Sequence, residues 1–454
     1  MPRVSHKQRV LQSLQEEIEK YNKYIEIQEA LRDDLSSSSE NTSSSGDTTD
    51  VIKTYVEDLQ QQYNAISQQR YLADRSTHRI GFSEEVFNRH FRSEPDSFGR
   101  QPWLNDEEFK KEYRMSRNAF WSIVNMIKDH DVFHSLNSKK KQAPVERQLA
   151  IFFYYLGSSG SGASSYRIRN LYGIGKGTAD LWKERCCKAL RSFKRQYISW
   201  PNAEERSLIA SRIYSNYSIP NCIAIADGTL FPLMQAPFTK DAPAYHGRKH
   251  LYSLSVMIVN DDKKKIRYYL SGFPGSAHDQ RVFSNTDLYK QPSAFFSDEQ
   301  NLQNYYLIGD SAFSNSPTVV AAFKGYNNIL LNEEQEKFNT VMGSLRVTSE
   351  HTIGILKNRF QFLKCIPMKI TEKKSSLKRV LRYVECCIIL HNFLAGFESD
   401  DENNEWHDEN DDVSDIDASL AVLDINNEVS EQDSHDARRQ IVYHFLKEYT
   451  VINR

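Results

Sequence analysis

Hydrophobic and polar positions change period along the chain. Leu11, Leu14, Ile18, Tyr21 and Ile25 recur every three or four residues in a polar setting, which predicts a helix within 1–35. A short coiled coil or a solvated helix fits that spacing, and the polar composition favours the second. Residues 36–49 are Ser-rich and acidic and read as a flexible linker, so 36–80 is expected to be largely disordered. From residue 82 the pattern turns helical and aromatic. Phe109, Tyr113, Phe120, Trp121, Val124 and Ile127 fit two amphipathic helices, with Ser116 as the N-cap between them. Residues 145–155 form another apolar helix, and 157–164 (Gly-Ser-Ser-Gly-Ser-Gly-Ala-Ser) a loop. A short helix over 166–172, a tight turn at Gly173-Ile174-Gly175 and a longer helix over 178–193 make a helix-turn-helix pattern.

Beyond residue 200 the period becomes that of strands. Residues 222–226 are apolar and end at Asp227, 251–259 alternate, Asn260-Asp261-Asp262 makes a turn, and 266–270 return. A helix with Val282, Phe283 and Leu288 follows, then a buried strand from Tyr305 to Ile308 that stops at Gly309 and Asp310. Ser316 and Pro317 predict the start of a helix through Val319 to Phe323. A last strand is expected at 328–331 and a long helix over 338–363. Three meandering strands followed by β-α-β crossovers give a mixed α/β sheet with helices on both faces, preceded by an all-α region.

Charge changes this picture in one respect. The net charge is −2, but residues 398–417 hold eleven acids and no Lys or Arg, which leaves the other residues at +9. The acidic stretch predicts a disordered tail over 397–435, followed by a short helix within 436–454 that contains the apolar run 441–446. The basic remainder suits a nucleic-acid ligand. The second helix of the helix-turn-helix carries Lys183, Arg185, Lys188 and Arg191, with Lys176 just ahead of it, and these five are the expected DNA contacts. A helical pair with a solvated basic face fits the same pattern. Residues 173–178 look like a phosphate loop but lack its spacing and a preceding strand. Six cysteines include two adjacent pairs, Cys186-Cys187 and Cys386-Cys387, without the spacing of a zinc site, so buried reduced thiols are expected. Arg3 and Lys7 are not followed by the apolar core of a secretory signal, and no run approaches the ~20 apolar residues of a membrane span.

The chemistry lies in three acids. A crossover between the strands ending at Asp227 and Asp310 would lay them parallel and adjacent, with both carboxylates at one rim of the sheet. Glu350 falls three residues before Ile353 on a helix whose apolar stripe is Ile353, Leu356, Phe360 and Leu363. Three carboxylates about 5 Å apart repel by ~3 kcal/mol per pair at an effective dielectric of 20. Such a cluster suits a divalent cation, and oxygen ligands without His or Cys point to Mg²⁺ or Mn²⁺. Two ions suit in-line phosphodiester displacement. His391, on an apolar helix beside Cys387, reads as a hydrogen-bonded core histidine.

From about Phe109 to Leu394 the sequence resembles the PIF/Harbinger-type transposases. The resemblance is carried in order by 109–116 (Phe-Lys-Lys-Glu-Tyr-Arg-Met-Ser), Asp227-Gly-Thr, 274–279 (Pro-Gly-Ser-Ala-His-Asp), 309–313 (Gly-Asp-Ser-Ala-Phe), 350–360 (Glu-His-Thr-Ile-Gly-Ile-Leu-Lys-Asn-Arg-Phe) and Leu390-His-Asn-Phe. It implies a ribonuclease H-like catalytic domain over 201–396, behind the helical region 81–200, with Asp227, Asp310 and Glu350 as the DDE triad. It places His278 and Asp279 beside the site, and Phe313 where the family often has Tyr. The implied activity is metal-dependent cleavage and strand transfer (phosphodiester hydrolysis and transesterification) at the ends of a DNA transposon. The setting it implies is the nucleus, with a Myb/SANT-like accessory protein, and two DNA ends call for at least a homodimer. A domesticated DNA- or chromatin-binding protein that no longer cuts is the alternative. A ribonuclease H-like enzyme acting on RNA shares the chemistry, but the deep A-form groove resists helix insertion.

Overall fold

The computed structural model describes residues 6–36, 46–68, 87, 91, 104–134, 142–247, 249–298, 303–324, 331–397, 406 and 437–448. The chain divides into two units, residues 1–80 and 81–454. In the first, α1 (His6–Ser36) and α2 (Gly46–Gln68) form an antiparallel hairpin. Ile18, Ile25 and Leu59 are buried between them, Tyr21 meets Tyr55 edge to face at 5.3 Å, and Lys7 donates to the carbonyl of Ser67. Much of the expected linker 36–80 is therefore helix. Ile52, Val56, Leu59, Tyr63 and Ile66 recur at four-three spacing, which is the seam that meets α1.

The second unit opens with helices. α3 (Asp106–Tyr113) starts at a capping box between Asn105 and Glu108, and α4 (Arg117–Ile127) at Ser116, whose hydroxyl accepts from the Ala119 N–H. α5 (Val145–Leu156), α6 (Ser165–Tyr172) and α7 (Lys176–Arg191) follow, with the turn at Gly173 in the left-handed region (φ 60°). After α8 (Ala203–Tyr217) comes a five-stranded mixed sheet: β1 (Cys222–Pro232), β2 (Ser253–Asn260), β3 (Ile266–Pro274), β4 (Tyr306–Gly309) and β5 (Val319–Ala321). Its order is β3-β2-β1-β4-β5, with β1–β2–β3 antiparallel and β1–β4–β5 parallel. This is the expected ribonuclease H-like architecture, a mixed sheet behind a helical region. Three short helices, α9 (Asp279–Phe283), α10 (Asp287–Lys290) and α11 (Pro292–Phe296), make the crossover from β3 to β4.

The two faces of the sheet have separate cores. Leu254, Val256 and Ile258 face a core shared with α5, α7 and α13 (Lys374–Ala395), while Met257 and Val259 face one with Phe283 and α12 (Glu333–Arg359). α12 serves both, burying Phe338, Met342 and Leu345 in the second core and Ile353 and Leu356 in the first. The last described helix, α14 (Ala437–Glu448), packs Val442 and Leu446 into the second core, and the Tyr443 hydroxyl donates to Glu334 at 2.7 Å.

Three strand and helix expectations need correction. β1 does not stop at Asp227 but runs on to Pro232, because β2 continues to pair with it. The helix expected from Pro317 is instead β5: Val319, Val320 and Ala321 find an open parallel edge on β4, which β-branched residues fit better than a helix. α12 spans Glu333–Arg359, starting at the capping box of Asn332 with Gln335 and ending before a 3-10 turn at Gln361–Lys364. Of the strand expected at 328–331, residues 328–330 lie outside the described residues, and Leu331 is not in a strand. The acidic tail expected over 397–435 also lies outside them, apart from Phe397 and from Trp406, whose ring meets the guanidinium groups of Arg114 at 5.5 Å and Arg359 at 5.6 Å. The four paired cysteines are free and buried, with the Cys386 and Cys187 sulfurs 3.6 Å apart, and His391 is a core residue whose Nε2 meets the Lys264 carbonyl at 3.0 Å. No described helix is long and apolar enough to cross a membrane.

Candidate active site

The parallel register brings the first two acids together. Ile225 of β1 is the partner of Ile308 of β4, the last pair of that ladder, and Asp227 and Asp310 each follow it by two residues, at the same rim of the sheet. β4 has ended at Gly309 by then, so Asp310 leaves the ladder at the rim while Asp227 stays held by β2 through its pairing with Ile258. The Asp310 carboxylate accepts the Ala312 N–H at 2.8 Å, a local turn that fixes its position. Gly309 is required here, because a Cβ would lie 2.8 Å from the Phe313 ring. Phe313 in turn packs edge to face on Phe283 at 5.4 Å, so its role is packing beneath the turn.

Asp279 arrives from the crossover. A Cβ on Gly228 would stand 2.1 Å from its Oδ1, so the Asp279 carboxyl lies directly over the backbone next to Asp227. His278, one residue earlier, has an exposed side chain and caps α9 only through its backbone. Glu350 comes from α12, between the stretches that serve the two cores. The helix is pinned one residue earlier: the buried Ser349 hydroxyl donates to Asn260 Oδ1, at the end of β2, at 2.8 Å. Glu350 itself remains 39% exposed and meets Arg346, one turn back, at 3.8 Å.

The electrostatics bind this group to one place. Burial pushes the Asp227 carboxyl up to about 7, Arg346 works against that rise, and Asp310, Asp279 and Glu350 add to it. Asp227 therefore senses all three other acids. Burial lowers Lys324, and Asp310 opposes that shift, which places a second cation near the rim. Among the described residues, no three His, Cys, Asp or Glu side chains stand within reach of one common ion. The carboxylates are gathered at electrostatic range, with Arg346 supplying positive charge among them. Their chemistry fits a hard divalent cation: the donors are all oxygen, and they crowd more negative charge than Arg346 and Lys324 balance. Asp279, Arg346 and Lys324 complete a site that sequence spacing centred on three acids. Arg346 was legible as the cation one helical turn before Glu350.

Two of the five expected DNA contacts, Lys183 and Arg191, have protein partners instead. Lys183 is 3% exposed; its ammonium lies 3.0 Å from Asp180, 3.2 Å from the Ser165 hydroxyl and 4.0 Å from the centre of the Tyr155 ring. It is a core residue joining α5, α6 and α7. Arg191 pairs with Glu385 of α13 at 3.3 Å. Lys176 and Lys188 are exposed and Arg185 is half-buried. A basic helix packed on three sides turns part of its charge inward.

Residues 226–392 match the family model described as DDE superfamily endonuclease. "Protein ALP1-like" of Arabidopsis thaliana is 22% identical over 335 residues, 69% of this chain and 79% of that protein. "Putative nuclease HARBI1" is 23% identical in Bos taurus and 22% in Homo sapiens, each over 291 residues, 64% of this chain and 78% of the relative. No solved structure matches the chain. The matched segment starts one residue before Asp227 and takes in Asp279, Asp310 and Glu350, so the four acids fall within the stretch that is similar to the DDE superfamily endonucleases.

Proposed function

We propose that the chain is a metal-dependent DNA endonuclease and strand-transferase that acts on the ends of a DNA transposon. The observation that carries this reading is the parallel pairing of β1 with β4 that ends two residues before Asp227 and Asp310, with Asp310, Asp279 and Glu350 all close enough to raise Asp227. Asp227, Asp310 and Glu350 would hold divalent metal, Mg²⁺ or Mn²⁺ and two ions by analogy, with Asp279 beside them. When bound, such ions lower the barrier to attack on a phosphodiester by activating the attacking oxygen and stabilising the leaving one. The protein's part is to hold the carboxylates on two rigid strands and a pinned helix. Arg346 neutralises Glu350 until metal or phosphate takes that charge over. The reading includes action in the nucleus, assembly as a homodimer that joins two ends, and a Myb/SANT-like accessory protein.

The test is Asp310→Asn. Cleavage of end-containing DNA with Mg²⁺ should fall by at least a hundredfold, while DNA binding without metal stays as in the parent. Undiminished cutting by the variant would sink the site. A second reading, a domesticated DNA-binding protein, is favoured by the Arg346–Glu350 pair and by the absence of a shared-ion spacing among the described residues. Intact binding with no cutting by either protein would support it.

A further inference from the structure

Residues 361–382 carry seven cations, Lys364, Lys369, Lys373, Lys374, Lys378, Arg379 and Arg382, against one acid, Glu372. The fold sorts them. Arg379 is paired with Glu184 of α7. Lys374, Lys378 and Arg382, four residues apart, are exposed along one face of α13. Lys369 and Lys373 are exposed just before the helix. Backbone bonds join this segment to the continuation of β1: the Met234 N–H donates to Ile366 and the Phe238 N–H to Ile370. The Lys240 N–H then donates to the Glu372 carboxylate at 2.9 Å, and the Lys369 ammonium lies 5.5 Å from the centre of the exposed Phe238 ring. Lys240 is exposed too. Six exposed cations thus share one surface with two acids, Asp241 and Glu372, and none of the six makes an ion pair with a described residue.

The place of this surface narrows its ligand. It adjoins the chain that continues from the strand carrying Asp227, and at most about 20 Å of extended chain separates Asp227 from Leu233, where the pairing with Ile366 begins. It also borders the helix-turn-helix, since the Gly160 N–H, just ahead of α6, donates to the Cys365 carbonyl at 2.9 Å. The cations on α13 rise about 6 Å per step, and each strand of a duplex offers a phosphate every ~3.4 Å of axis. No large apolar side chain of α13 is exposed, whereas a helix lying on a lipid surface needs an apolar face.

We propose that Lys240, Lys369, Lys373, Lys374, Lys378 and Arg382 form a phosphate track for duplex DNA on the DDE domain. It takes the role that sequence alone assigned to α7, and it rests on the DNA reading above. The test is the full chain with Lys374→Gln, Lys378→Gln and Arg382→Gln together, titrated with a duplex of arbitrary sequence across salt concentrations. The three side chains are exposed, so the melting temperature should match the parent. The slope of log affinity against log salt should become shallower by about 2–3 units, with an equal loss on every sequence. Parent-like slope and affinity would overturn the track while leaving the DNA reading standing. Binding of phosphatidylserine vesicles but not DNA, lost in the variant, would overturn it in favour of a lipid surface. A parent chain that binds neither would overturn the track and the DNA reading together.

Discussion

Burial, with three other acids nearby, governs the Asp227 carboxyl. Its pKa is raised from the ordinary 3.8 to about 7, so the unfolded chain releases this proton near pH 4 while the fold retains it. Ionisation then works against the fold as pH rises through that window, and the penalty is complete above about 7. Asp227→Asn removes it. In metal-free buffer at pH 8 the variant should be more stable than the parent by about 1–3 kcal/mol, the partial exposure of the site being allowed for. The two should converge below pH 4. Added Mg²⁺ should raise the parent's melting temperature and leave the variant's unchanged. A variant no more stable than the parent at pH 8 would mean that the four acids do not share one field.

At the scale of the element, α7 shows how packing overrides a charge pattern. Lys183 has an acid, a hydroxyl and an aromatic face as partners, all inside the helical region. Lys183→Ala should lower stability by about 1–3 kcal/mol, because it leaves Asp180 and Ser165 without their shared donor. The salt slope of DNA binding should stay as in the parent; a shallower slope would restore Lys183 as a DNA contact. Most of the site was legible for reasons that belong to single elements. The apolar runs ending at Asp227 and Asp310 and the stripe through Ile353 and Leu356 follow directly from strand and helix periods. The remainder depends on neighbours. β5 is a strand because β4 offers it an open edge, β1 outlasts Asp227 because β2 does, and Lys183 turns inward because Asp180 and Tyr155 await it. Asp279 joins the acids only because Gly228 leaves room for its carboxyl.

For the whole molecule, the join between α13 and the sheet is the sensitive point. His391 is buried against the Lys264 carbonyl, and its neighbour Asn392 holds the Ile266 backbone on one side and the Tyr197 carbonyl on the other. Burial lowers the histidine to about 4 from the ordinary 6.5. The unfolded chain therefore binds this proton first, and stability falls as pH drops from 6.5 towards 4, by about 1.4 kcal/mol per unit. Chemical denaturation across that window should show the loss, and His391→Gln should flatten it. A His391→Gln profile as steep as the parent's would place the sensitivity elsewhere. The docking of α14 has a different kind of consequence. Gly396 closes α13 on one side and Ala437 opens α14 on the other, so the acidic stretch of sequence separates two helices of the same unit. During synthesis the flank of β5 waits uncovered while some forty further residues emerge, and the second core is complete only when Val442 and Leu446 arrive.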